Sequence, residues 1–262
     1  VLPKLGKVPV TDIDQLDIRD TLAPIWHTKA DTARKAMNRL SIVLRHAAAL
    51  GLDVDLQATE KAKALLGKSR HVAKHIPAMA WADVPAFYAS LEEPTLTHLA
   101  LRLLILNPGV RSKPLRHLRL EQIERDVWTV PKGEMKGQKG KAPAYRVPLC
   151  KEAKRIIEQA LPHARNGYRG GVISDMTLSR LMERRGLEAR PHGFRTSLRT
   201  WLAEATDAPH EVAEAMLSHA TDSGVVRAYR RTDYLEQRLA LTERWADYVT
   251  GGDGQVVKLV GA

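Results

Sequence analysis

Cysteine is nearly missing from this chain: Cys150 is the only one in 262 residues. That excludes an internal disulfide and any zinc site built on several thiolates, and it fits a reducing, cytoplasmic setting. Phenylalanine is almost as scarce, with Phe87 and Phe194 alone, so the core must rest on Leu, Ile, Val and Ala. With few β-branched runs, that bias favours helices over strands. No apolar run is long enough to span a bilayer and no secretory leader is visible, so no membrane partner is expected. A P-loop is absent, as is a carboxylate cluster suited to magnesium, and neither a cofactor nor a metal is expected. The chain opens on Val1, not Met, as expected of a piece of a longer protein.

Positive charge is what the sequence has in excess. Lys and Arg number 41 against 30 Asp and Glu, a formal charge of +11. Such an excess draws in a polyanion by long-range Coulomb attraction and by release of its counterions. On charge alone, a soluble basic protein without such a partner remains an open alternative.

The length suits two domains. Their expected bounds are residues 1–70, a basic linker at 71–78, and 79–262. The first unit reads as helical from about residue 11 to 66. Asp31 or Thr32 is expected to cap a helix whose apolar positions are Ala33, Met37, Leu40, Val43, Leu44 and Ala47, stopped at Gly51. Arg34, Lys35, Asn38, Arg39, Arg45 and His46 lie off that stripe, on either a solvated face or a phosphate-facing one. The segment from Gly67 to His75 carries Lys68, Arg70 and Lys74 and is suited to lie along a nucleic-acid backbone.

In the second unit, Leu96–Leu106 is an apolar helix stopped by Asn107-Pro108-Gly109, which turns the chain into Arg111. Ser112 is expected to cap the next helix, with Pro114 in its first turn. Val127–Pro131 and Tyr145–Leu149 read as two strands of a hairpin whose long tip holds Lys132, Lys136, Lys139 and Lys141. Beyond Lys151 the pattern is helical, with breaks at 165–171, 186–191, 207–209 and 221–224. Asp247-Tyr248, in the last helix, is expected to pack on the body of this unit.

Five features follow one another: Arg111 after the Asn-Pro-Gly turn, Lys136 in the basic hairpin, His192-Gly193-Phe194-Arg195, His219 in Leu217-Ser218-His219, and Tyr229 in Ala228-Tyr229-Arg230-Arg231. Together with Gly109-Val110-Arg111, Met135-Lys136-Gly137 and Arg146-Val147-Pro148-Leu149, this series resembles the tyrosine site-specific recombinase family, in its phage integrase branch. Each string alone is weakly specific, and the order and spacing of all of them carry the resemblance. It covers the whole second unit and extends more weakly to the first, which resembles the family's helical core-type DNA-binding domain. The fold so implied is mainly α with a small β-sheet or hairpin (α+β), a core-binding domain joined to a catalytic one.

The chemistry of these residues agrees. Breaking a phosphodiester requires stabilising extra negative charge on a phosphate, and two arginines supply planar, permanently charged forks for it; Arg111 and Arg195 are the candidates. A phenol has a pKa of about 10 and becomes a nucleophile only beside cations or a base. Tyr229 is the candidate nucleophile, with Tyr234 its rival five residues on; Tyr88, Tyr145, Tyr168 and Tyr248 fall outside the matching motif.

The resemblance implies that His192 and His219 bind the phosphate and assist proton transfer. It also implies that Lys136 protonates the leaving 5′ oxygen, with Lys139 and Lys141 as alternatives. Candidate DNA contacts are Arg34, Lys35, Arg45, Lys68, Arg70, Lys74, Lys139 and Lys141. The implied partners are double-stranded DNA, further copies forming a homotetramer on it, and accessory DNA-bending or excision factors. One position departs from the pattern: Pro114 stands where the family usually has an acidic residue, three after the first arginine. That departure keeps a second reading open, an inactive or regulatory DNA-binding protein on the same scaffold. A DNA topoisomerase, which shares the tyrosine chemistry, is a third.

Overall fold

The computed structural model describes residues 1–70, 72, 75–135, 143–166, 173–218 and 232–251. The chain divides into two compact units, Val1–His75 and Ile76–Ala262.

In the first unit, a short helix α1 (Leu2–Leu5) precedes α2 (Gln15–Trp26), α3 (Ala30–Ala49) and α4 (Ala58–Leu66). Helix α2 starts at a reciprocal cap. The Asp14 carboxylate accepts from Leu16 N (2.7 Å) and Asp17 N (2.9 Å), while Asp17 accepts from Asp14 N. Two of the orphan donors of the first turn are thereby satisfied. Ile18, Leu22 and Trp26, four residues apart, point one way and are buried. The Trp26 indole N–H reaches the Gly67 carbonyl at 2.8 Å, and Gly67 takes a positive φ of 69° that a side chain would resist.

The buried stripe of α3 is Ala33, Met37, Leu40, Leu44 and Ala47. Val43 is instead half exposed, at 52%, because one residue before Leu44 turns it about 100° off the stripe. The expected cap is also displaced: Lys29 is the N-cap, with no side-chain cap bond. Asp31 sits inside the first turn, where a negative charge suits the helix dipole.

The second unit is built around α6 (Leu96–Leu106), whose Leu99, Leu101, Leu103, Leu104, Ile105 and Leu106 are all buried. Around it lie α5 (Val84–Ala89), α7 (Ser112–Arg116), α8 (Lys151–Asn166), α9 (Thr177–Arg184), α10 (Phe194–Ala205), α11 (His210–Met216) and α12 (Leu235–Thr250). Arg111, not Ser112, is the N-cap of α7, and it makes no side-chain cap bond.

The sheet holds three antiparallel strands in the order β1 (Ile123–Glu124), β2 (Val127–Val130), β3 (Tyr145–Pro148), with Trp128 opposite Val147 and Val130 opposite Tyr145. Strand β1 was not expected: at two residues it is too short to show alternation. Arg125, at φ 53°, makes the left-handed turn between β1 and β2.

Helix α12 is anchored by Trp245, fully buried, whose indole N–H donates to the Ile105 carbonyl at 2.8 Å. Trp245 and Tyr248 stack among Trp201 and Trp81, with ring centroids 5.1–6.1 Å apart. Tyr248 thus packs on the body of the unit, as its position in the last helix predicts. No helix among the described residues is long and apolar enough to cross a membrane.

Candidate functional site

The Asn107-Pro108-Gly109 turn ends α6 and delivers the chain to Arg111. Its packing explains the glycine. A Cβ on Gly109 would lie 1.8 Å from the Met216 carbonyl oxygen and 2.9 Å from the Tyr145 hydroxyl. The turn therefore rests directly on the end of α11, backbone against backbone. Gly193 does the same elsewhere: a Cβ there would meet the Pro77 carbonyl at 2.5 Å and Ala78 Cα at 2.8 Å. That close approach seats the Pro191–Gly193 3-10 turn from which α10 springs.

Arg195, in the first turn of α10, is buried and bonds to three backbone carbonyls. Nη1 donates to Pro108 O (3.1 Å) and Gly109 O (2.7 Å), and Nη2 donates to Leu217 O. It thus ties the turn before Arg111 to the chain just after α11. A guanidinium offers five N–H donors, and three of them are used on these carbonyls.

Burial, and then the nearby Arg111 charge, bring the Arg195 pKa down to about 10. The group stays protonated at neutral pH. Arg111 is partly exposed and has no ion-pair partner among the described residues. Glu214, which also acts on Arg195, is held by Arg199 at 2.8 Å. Two guanidiniums are thus brought near one another, and the one carboxylate seen to act on Arg195 among the described residues is engaged by another arginine, an arrangement that favours an incoming anion.

His192 is exposed and precedes α10 in the 3-10 turn, three residues from Arg195. Pro114, at the departing position, is buried within α7 and offers no charge. Of the remaining candidates, Lys136, Lys139, Lys141, Lys74, His219 and Tyr229 lie outside the described residues. Leu217, the residue Arg195 grips, is two positions before His219.

In the first unit, Arg34, Lys35 and Arg45 are exposed on α3, as are Lys68 and Arg70 beyond α4. Arg34 and Lys35 both pair with Asp31, at 2.8 Å each, which holds the Asp31 carboxyl down at about 2. Arg45 Nε donates to Ser41 O at 3.2 Å.

Two residues of the site's frame escaped sequence reasoning. Tyr145, set aside as outside the motif, is half-buried on β3, and its hydroxyl donates to the carbonyls of Met216 (2.7 Å) and Ala215 (3.1 Å). Arg238 is buried in the first turn of α12, with its guanidinium 4.7 Å from the Tyr145 ring centroid. An aromatic opening the Arg-Val-Pro-Leu strand, and a lone arginine among apolar helix positions, were the available signals.

Residues 1–65 match the phage integrase central domain, and residues 78–236 match the phage integrase family. The chain is 28% identical to prophage integrase IntZ of Escherichia coli (strain K12) over 264 residues, covering 95% of this chain and 63% of that protein. It is 23% identical to the integrase of Shigella phage Sf6 over 266 residues, covering 95% and 67%. The chain therefore spans less than two thirds of the length of IntZ.

Two solved structures share the fold. A lambda integrase dimer bound to a COC′ core site superposes with a TM-score of 0.58 at 19% identity, covering 88% of this chain and 84% of that one. The Tn1549 transposon integrase in complex with circular intermediate DNA superposes with 0.56 at 13% identity, covering 91% and 88%. With more than half of its length matched to one family and the central domain before it, the chain belongs to the phage integrase family of tyrosine recombinases.

Proposed function

We propose that this chain cuts and rejoins duplex DNA at specific sites, through a covalent 3′-phosphotyrosine on Tyr229, to integrate or excise a mobile element. The observation that carries the reading is the proximity of Arg195 and Arg111, two guanidiniums near enough that the charge of Arg111 lowers the pKa of Arg195, while the Glu214 carboxylate that also acts on Arg195 is engaged by Arg199. Such a pair suits a phosphate that gains charge in its transition state.

In this scheme the Tyr229 phenol loses its proton to a histidine, His219 or His192, as its oxygen attacks the phosphorus. The bond to the 5′ oxygen breaks, and that oxygen takes a proton from Lys136. The reverse attack by a 5′ hydroxyl reseals DNA and frees the tyrosine. Because the phosphotyrosine keeps the energy of the broken bond, no nucleotide is consumed.

The first unit, with Arg34, Lys35 and Arg45 on one helix, is assigned to grip the duplex together with the basic segment around Lys68, Arg70 and Lys74. Four protomers on paired sites would exchange strands. Pro114 supports a second reading, a DNA-binding protein without cleavage.

The test is incubation with a suicide duplex that traps the cleaved strand. The wild type should yield protein joined to a 3′ phosphate, and Tyr229→Phe should yield none. An adduct persisting in Tyr229→Phe would move the nucleophile, with Tyr234 the first to try. Absence of any adduct on cognate DNA would favour binding alone.

A further inference from the structure

Strand β3 holds the chain on both sides of the stretch that contains Tyr229. On the upstream side, the Tyr145 hydroxyl donates to the carbonyls of Ala215 and Met216 at the end of α11. On the downstream side, Arg238 Nη1 donates to Asp233 O at 3.3 Å, and Nη2 donates to Arg146 O on the same strand. The two halves meet at one contact, the Arg238 guanidinium over the Tyr145 ring. Arg146 adds an ion pair to Asp233 at 3.3 Å. Residues 215–216 and 233–238 are thus both fixed to the neighbouring residues Tyr145 and Arg146.

The arrangement sets polar groups in a desolvated place. Burial disfavours the phenolate of Tyr145 and pushes its pKa up. Arg238 is 2% exposed, and its Nε is buried without a hydrogen-bond partner among the described residues.

We infer that Tyr145 and Arg238 are positioning residues for strand cleavage: together they fix where the nucleophile-bearing stretch leaves α11 and where it enters α12. This rests on the reading of Tyr229 as nucleophile. The effect is mechanical. Reaction demands that the phenol oxygen stand in line with the phosphorus, and a displacement of about 1 Å costs about a hundredfold in rate. DNA affinity, set by surface cations, is independent of it.

The experiment measures single-turnover adduct formation on a suicide duplex at saturating DNA, with Kd and thermal midpoint recorded for each protein. Tyr145→Phe keeps the ring under Arg238 and removes only the hydroxyl. Arg238→Lys keeps the charge and removes the fork. Each is expected to slow adduct formation by about tenfold to a hundredfold, with Kd within about twofold of wild type. The double variant should be no slower than about threefold beyond the worse single, since both act on one device.

Rates within about twofold of wild type for both variants, or rates that fall only in step with Kd or with the folded fraction, would overturn the inference. A wild type that forms no adduct overturns it too. That outcome is distinct, because it removes the Tyr229 reading first and appears in the control arm.

Discussion

Arg195 and Gly109 are joined by a 2.7 Å hydrogen bond from Nη1 to the glycine carbonyl, which sets a buried cation two residues from Arg111. The same guanidinium bonds to Leu217 O, so one side chain links the two stretches that lead into Arg111 and His219. Substitution to Lys keeps the charge but cannot span three carbonyls. Arg195→Lys should cost about 2–3 kcal/mol in stability through unsatisfied carbonyls, and should lower adduct formation about a hundredfold or more. DNA affinity of the folded protein should change much less. An equal fall in binding and cleavage, by filter binding and by adduct assay, would refute the transition-state role.

Gly109 and Gly133 make a matched pair of tests. A methyl at Gly109 would overlap the Met216 carbonyl, whereas one at Gly133 meets nothing within 4 Å among the described residues. Gly109→Ala is expected to lose about 1–3 kcal/mol, and Gly133→Ala to stay within about 0.5 kcal/mol. Urea titration checks both.

Asp31 engages two of the cations assigned to DNA, Arg34 and Lys35. Its depressed pKa means that the carboxylate stays ionised until the pH falls through about 2, so the pairing is intact at neutral pH. Removing the charge frees both cations. Asp31→Asn should tighten DNA binding several-fold at low salt and steepen the dependence of log K on log salt by about one unit. An unchanged slope would mean that α3 does not face phosphate.

Cys150 is buried, and burial pushes its thiol from 9.0 up to about 11. The folded protein should resist thiol reagents at neutral pH and react fully when denatured. Between pH 9 and 11 the unfolded chain ionises this thiol and the folded one does not. Stability should therefore fall as pH rises through that window, and Cys150→Ala should flatten the fall.

The helical framework was legible in the sequence because period and punctuation agree there. Leu96–Leu106 ends where Asn107-Pro108-Gly109 predicts, and five of the six apolar positions expected of α3 are its buried stripe, at spacings of three or four. Caps were less legible. Asp31 and Ser112 have the right chemistry, but each sits one or two residues inside its helix, where local packing chose the start. At the site, Arg111 and Arg195 stood out by motif. Tyr145 and Arg238 did not, because their partners are backbone carbonyls and each other, and main-chain partners far along the chain leave no pattern in sequence.

That last property has a consequence for how such a protein diverges. The oxygens gripped by Arg195 and Tyr145 belong to the main chain at Pro108, Gly109, Ala215, Met216 and Leu217, and apart from Gly109, where a Cβ would collide with Met216 O, many different residues there supply the same atom. A scaffold fastened in this way tolerates wholesale turnover of its side chains while keeping its shape, in keeping with a fold still recognisable at 13% identity.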